Sequence, residues 1–76
     1  MQVRFLELLE GLPEEVQSAL LDLAYERVVR DKLPDAEVNY SAGCWTVVRR
    51  VGHKEYSKTC LTTLEAWKDA YARLKQ

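Results

Sequence analysis

The chain has 76 residues, 47% of them apolar and 30% charged, with a formal net charge of −1 at neutral pH. Such a length allows one hydrophobic core, and such a composition excludes a disordered chain as well as a membrane-spanning one, since no apolar run approaches the roughly 18 residues a bilayer requires. The charge is unevenly spread: residues 1–36 carry four cations against eight acids, and residues 37–76 carry seven against four.

In chain order, the first predicted element is a short helix over residues 3–10, with Phe5, Leu6 and Leu9 at helical spacing and Gly11 as its stop. The acids inside this apolar stretch and the lack of a small-residue cleavage site argue against a signal peptide, and the expected location is the cytoplasm. Pro13 opens a second helix over 13–33, where a residue without an N–H loses nothing, and Glu14 and Glu15 complement the positive end of its dipole. Val16, Ala19, Leu20, Leu23, Ala24 and Val28 read as the core-facing stripe of this helix, flanked by Leu21, Tyr25 and Val29. Pro34 ends it by disfavouring helical backbone at Leu33.

Alternating residues then predict a strand over 37–41, and Ser41–Ala42–Gly43 a turn. The β-branched and aromatic run Cys44–Val51 predicts a second strand, Gly52–His53 a second turn, and residues 55–61 a third strand. Thr62–Thr63–Leu64–Glu65 is a capping box that starts a final helix over 63–75, with Leu64, Trp67, Tyr71 and Leu74 on one face and Ala66 and Ala70 permitting close approach. The expected fold is therefore a single α+β domain: two N-terminal helices, a three-stranded antiparallel meander, and a C-terminal helix packed on one face of the sheet.

Catalysis is not expected. The one histidine, His53, falls in a turn, no phosphate-cradling loop or nucleophile elbow is present, and Cys44 and Cys60 lack metal-ligand spacing and are expected as free thiols. No cofactor, metal or small-molecule substrate is implied. Binding is. Arg49, Arg50, Lys54, Tyr56 and Lys58 cluster around the second turn, and cations interleaved with aromatics on an uncovered sheet face could neutralise phosphates and contact bases. Which side chains share that face depends on register. Pairing Val51 with Lys54 groups Trp45, Val47, Arg49, Tyr56 and Lys58. Pairing Val51 with Glu55 groups Thr46, Val48, Arg50, Tyr56 and Lys58, and is preferred because it buries Trp45 and Val47.

The segment Gly43–Cys44–Trp45–Thr46–Val47–Val48–Arg49–Arg50, the turn, Tyr56–Ser57–Lys58–Thr59 and Thr62–Thr63–Leu64–Glu65–Ala66 resembles the three-strand-plus-helix DNA-binding domain of plant ethylene-response factors. It is also similar to the arm-type DNA-binding domain of phage integrases. The resemblance covers about half the chain and implies a sheet face that enters the DNA major groove, with Arg50, Tyr56 and Lys58 as contacts and Trp45 in the core. A second reading stays open. In size and composition the chain also looks like small phage or mobile-element inhibitors such as anti-CRISPR proteins, with Glu7, Glu10, Glu14, Glu15 and Asp22 engaging a basic, nucleic-acid-binding surface of a host protein. Apolar residues of the first two helices could alternatively form a homodimer interface.

Overall fold

The computed structural model describes residues 10–75. They form α1 (Glu14–Lys32), β1 (Ala36–Ser41), β2 (Cys44–Arg49) and α2 (Thr63–Leu74). The architecture is thus α+β with two helices and a two-stranded antiparallel sheet. This corrects the expected two N-terminal helices and three-stranded meander: the described residues hold one helix before the sheet, and residues 55–61 form no strand. The expected helix over 3–10 lies, but for its last residue, outside the described residues.

Helix α1 begins one residue later than the sequence places it. Pro13 is its N-cap, one position before the first helical residue, and the Pro13 carbonyl accepts from the Gln17 N–H at 3.0 Å. Its last turn closes when the Leu33 N–H donates to the Val29 carbonyl at 2.7 Å, and Leu33 is already extended ahead of Pro34. Helix α2 is capped as its sequence demands, with the Thr62 hydroxyl accepting from the Glu65 N–H at 3.1 Å. The Thr63 hydroxyl donates to the Asp22 carboxylate and ties the start of α2 to the middle of α1.

Strands β1 and β2 pair from Ala36↔Arg49 to Ser41↔Cys44. The two residues between them, Ala42 (φ 53°) and Gly43 (φ 78°), are both left-handed, as a two-residue hairpin whose twist matches its strands requires. The chain then runs back along the other edge of β2, but as two isolated bridges. Val48 pairs with Glu55 and Trp45 with Cys60, so three steps along β2 face five steps along the returning segment. The two surplus residues are accommodated at Ser57–Lys58. There the Ser57 hydroxyl, in place of a main-chain carbonyl, accepts from the Val47 N–H at 2.9 Å, and donates to the Lys58 carbonyl at 2.9 Å. A side chain that substitutes for the ladder breaks the ladder, which is why alternation over 55–61 does not yield a strand. Neither of the two uniform registers weighed from the sequence spans the whole segment.

The core is the seam between α2, β2 and one face of α1. Val29, Ala36, Val47, Cys60, Ala66, Trp67 and Ala70 are buried, and Tyr25, Leu33, Val38, Trp45, Tyr56 and Tyr71 pack around them. Ala66 and Ala70 bring the α2 backbone close to its neighbours, and Tyr25 meets Tyr71 across the two helices with ring centroids 5.4 Å apart. The phase of α1 is the second correction. Val29 is fully buried and Tyr25 and Leu21 are half-buried, whereas Val16, Ala19, Leu20, Leu23, Ala24 and Val28, the stripe expected to face the core, are exposed.

Asp69 closes the open end of the returning segment. Its carboxylate accepts from the Lys58 main-chain N–H at 2.9 Å and from Arg73 Nε at 2.7 Å. Desolvation pushes its pKa up, but the Lys58 N–H and the Arg73 guanidinium outweigh it, and the net displacement is downward. A lowered carboxylate pKa contributes stability that is present above the unfolded value, about 4, and is lost as pH falls through the folded one. Asp69→Asn should therefore be less stable than the parent chain at pH 7, and the gap should close as urea melts are repeated from pH 5 down to pH 2. A gap independent of pH would show that the charge on Asp69 is not what stabilises this corner.

Candidate functional site

The five cationic and aromatic candidates are placed by the end of β2 and the segment after it. Arg49 ends β2 and Arg50 follows it in a turn. Arg49 Nε donates to Asp35 Oδ2 at 3.2 Å, and the Tyr56 hydroxyl donates to the other oxygen of the same carboxylate at 3.4 Å. Partial burial and the adjacent Asp35 charge push the Tyr56 phenol above its ordinary pKa, so it stays a neutral donor. Arg50 lies 3.5 Å from Glu37 Oε2, and its main-chain N–H donates to the Asp35 carbonyl at 2.9 Å. Both arginines are thus paired with acids of β1 or of the turn before it. Exposed pairs of this kind are worth about 0 to 1 kcal/mol each, but they cancel charge that a polyanion would otherwise meet.

Lys54 and Lys58 are exposed, and among the described residues their ammonium groups form no ion pair. Lys58 sits at the far end of the segment from Lys54, beside Asp69, Glu65 and Lys68. Arg50 and Lys58 are therefore not brought together on one surface. Thr46 and Val48 of β2 are buried, and the residues opposite them on β1 are exposed Asn39 and half-buried Glu37, so that part of the sheet offers a ligand no cation. Trp45 is half-buried against the core and stacks on exposed Tyr40, with ring centroids 4.7 Å apart.

Among the acidic candidates, Glu10, Glu14 and Glu15 are exposed at or before the start of α1, Asp22 is occupied by Thr63, and Glu7 lies outside the described residues. The remaining reactive side chains are dispersed. His53 is exposed in a left-handed turn position (φ 54°). Cys44 and Cys60 are free thiols, and burial followed by the nearby Asp69 charge pushes the Cys60 thiol up, away from the thiolate that a nucleophile or metal ligand must be. Among the described residues no three His, Cys, Asp or Glu side chains are grouped to hold a metal ion, and no helix is long and apolar enough to cross a membrane.

The feature that sequence periodicity misplaces is the outward face of α1. At 100° per residue, Val16, Leu20, Leu23 and Arg27 fall within about 60° of one another, on the side of the helix opposite Tyr25 and Val29. Leu23 is 62% exposed and Val16 42%, with Leu12 and Leu20 also open to solvent. Three acids, Glu10, Glu14 and Glu15, lie at or before the start of α1, and Arg27, Arg30 and Lys32 lie towards its end, interspersed with Glu26 and Asp31. Arg30 is partly engaged, bonded to Glu26 at 3.0 Å and placed 5.3 Å from the centre of the Trp67 ring. A comparison with protein-family models, with curated proteins and with solved structures finds no match to this chain.

Proposed function

We propose that this domain is a non-catalytic binding module whose working surface is the outer face of α1 and whose partner is a protein. The observation that supports it is the α1 stripe itself: large apolar side chains in a row on a helix already anchored to the core by its other side. Water gains nothing from such a row, and about 25 cal/mol is recovered for each Å² of it that a partner covers. The flanking acids Glu10, Glu14 and Glu15 add a charged rim that favours a basic neighbour.

This reading stands ahead of DNA binding through the sheet. Arg49 and Arg50 are each engaged by an acid, Lys58 is remote from them, and the sheet has two strands rather than three. Two measurements on the purified full chain and on a tagged form separate the alternatives. Titration into labelled duplex DNA at low salt should show no binding that Arg50→Ala or Lys58→Ala removes. Affinity capture should be insensitive to nuclease and lost in Leu23→Glu. DNA binding that falls steeply with salt and disappears in Arg50→Ala and Lys58→Ala would transfer the function to the sheet.

A further inference from the structure

We infer that the partner of the α1 face is a second copy of this chain, docked antiparallel about a two-fold axis that passes between Ala19 and Leu20. The inference rests on the protein-binding reading of the same surface and names its occupant.

Two properties of the helix carry it. The first is spacing. The stripe residues Val16, Ala19, Leu20 and Leu23 are symmetric about a point between positions 19 and 20, and exposed Leu12, just ahead of α1, is as far from that point in sequence as Arg27. Laid antiparallel on itself, the stripe sets Val16 against Leu23 of the second copy, and small Ala19 against large Leu20. An isologous contact requires such self-complementarity, in which residue i meets j and j meets i. Alternating small and large side chains along the seam lets the two helices interdigitate instead of abutting.

The second property is charge. The start of α1 is acidic, and Arg27, Arg30 and Lys32 lie towards its end. A parallel pair would set the acidic starts of the two helices side by side, with Glu15 near its own copy. The antiparallel pair brings Arg27 of one copy to the Leu12–Glu15 end of the other, twice per dimer, and also opposes the two helix dipoles. Arg27 is exposed and, among the described residues, makes no ion pair within its own chain. A seam built from one helix per copy is small beside a standard interface of about 800 Å² per partner, so the dimer should dissociate on dilution in the micromolar range.

The test is sedimentation equilibrium of the purified full chain over roughly 1 µM to 1 mM. The expected result is a weight-average mass rising from one copy towards two. Leu23→Glu should hold the chain monomeric at every concentration while its melt at low concentration stays that of the parent monomer. Glu15→Arg and Arg27→Glu should each weaken dimerisation about tenfold, because each reversal acts at both symmetry-related contacts, and the double reversal should restore it. A parent chain monomeric throughout overturns the inference. If Leu23→Glu then also lowers the melting temperature, the stripe is covered by the chain's own first nine residues. If Leu23→Glu instead abolishes nuclease-insensitive capture, the protein-binding reading survives and the self-partner alone is lost. Dimerisation that is indifferent to both single reversals overturns the antiparallel arrangement.

Discussion

Replacing Trp67 with alanine is expected to remove about half or more of the stability of the domain. Trp67 is 2% exposed and is the largest fully or nearly fully buried side chain in the core, enclosed by Val29, Val47, Ala66 and Ala70. Truncating a buried aromatic to alanine costs about 3 to 5 kcal/mol, because the transfer free energy of the ring is lost and the cavity left behind collapses only in part. A 76-residue domain has in total roughly 4 to 11 kcal/mol of stability, so the loss consumes much or all of it. The contact with Arg30, 5.3 Å from the ring, is a minor part, on the order of 0.5 to 1 kcal/mol at a partly exposed site. Trp67→Phe keeps an aromatic ring in the site and should melt closer to the parent, whereas the midpoint of Trp67→Ala should fall to a much lower urea concentration. The check is far-ultraviolet circular dichroism with urea titration of the three proteins. A Trp67→Ala chain within about 1 kcal/mol of the parent would mean that the seam between α1, α2 and β2 is not the core.

Trp67 also shows what sequence could deliver. Helix α2 is legible nearly to the residue, since the Thr62 cap and the Leu64–Trp67–Tyr71 spacing are local signals and the side chains that make them lie within one turn of each other. The β1–β2 hairpin is equally local: Ala42 and Gly43 supply the two left-handed positions that fix the pairing of Ser41 with Cys44. Helix α1 is legible as a helix and illegible in phase. Its apolar residues occupy more than one side, Val16–Ala19–Leu20–Leu23–Ala24–Val28 and Leu21–Tyr25–Val29, and periodicity alone gives the longer row the core. The choice is made by what α2 offers. Ala66, Ala70 and Tyr71 form a surface that the Tyr25–Val29 side fits, and the longer row is turned out to solvent.

The ion pairs of the candidate site are hidden from the sequence for a related reason. Arg49 and Arg50 look like free cations when read beside Lys54 and Lys58, because their acids are distant in sequence: Asp35 lies in the turn before β1 and Glu37 on β1. Pairing β1 with β2 brings them together, Glu37 opposite Val48 and Ala36 opposite Arg49. The acidic front and basic back of the chain, which suggested two separately charged surfaces, are in this region one neutralised edge.

The returning segment after β2 carries the second large effect, at Ser57. Ser57→Ala is expected to destabilise the domain by about 2 kcal/mol, within the 1 to 3 kcal/mol that a buried, newly orphaned main-chain donor costs. Ser57 is 3% exposed, and its hydroxyl accepts from the Val47 N–H while donating to the Lys58 carbonyl. Val47 is fully buried, so water cannot replace the lost acceptor. The Val47 carbonyl is not orphaned in the variant, because it accepts from the Tyr56 N–H at 2.8 Å and the Ser57 N–H at 3.2 Å; the Lys58 carbonyl loses the Ser57 donor but keeps the Cys60 thiol at 3.4 Å, so the Val47 N–H is the one group left without a partner. For a domain of this size the loss corresponds to a fall in melting temperature of roughly 8 to 16 °C. Amide hydrogen exchange supplies the residue-level reading: Val47 should lose protection beyond the global loss, whereas Trp45, whose N–H donates to the Cys60 carbonyl at 2.7 Å, should lose only the global share. Thr59→Ala, at an exposed neighbouring position, should stay within about 0.5 kcal/mol of the parent. If Ser57→Ala melts with Thr59→Ala, the hydroxyl is not what substitutes for the ladder, and the break in pairing between Glu55 and Cys60 needs another cause. If it melts as expected, then one side chain takes the place of a carbonyl for a buried amide at the point where the pairing of the returning segment with β2 is interrupted.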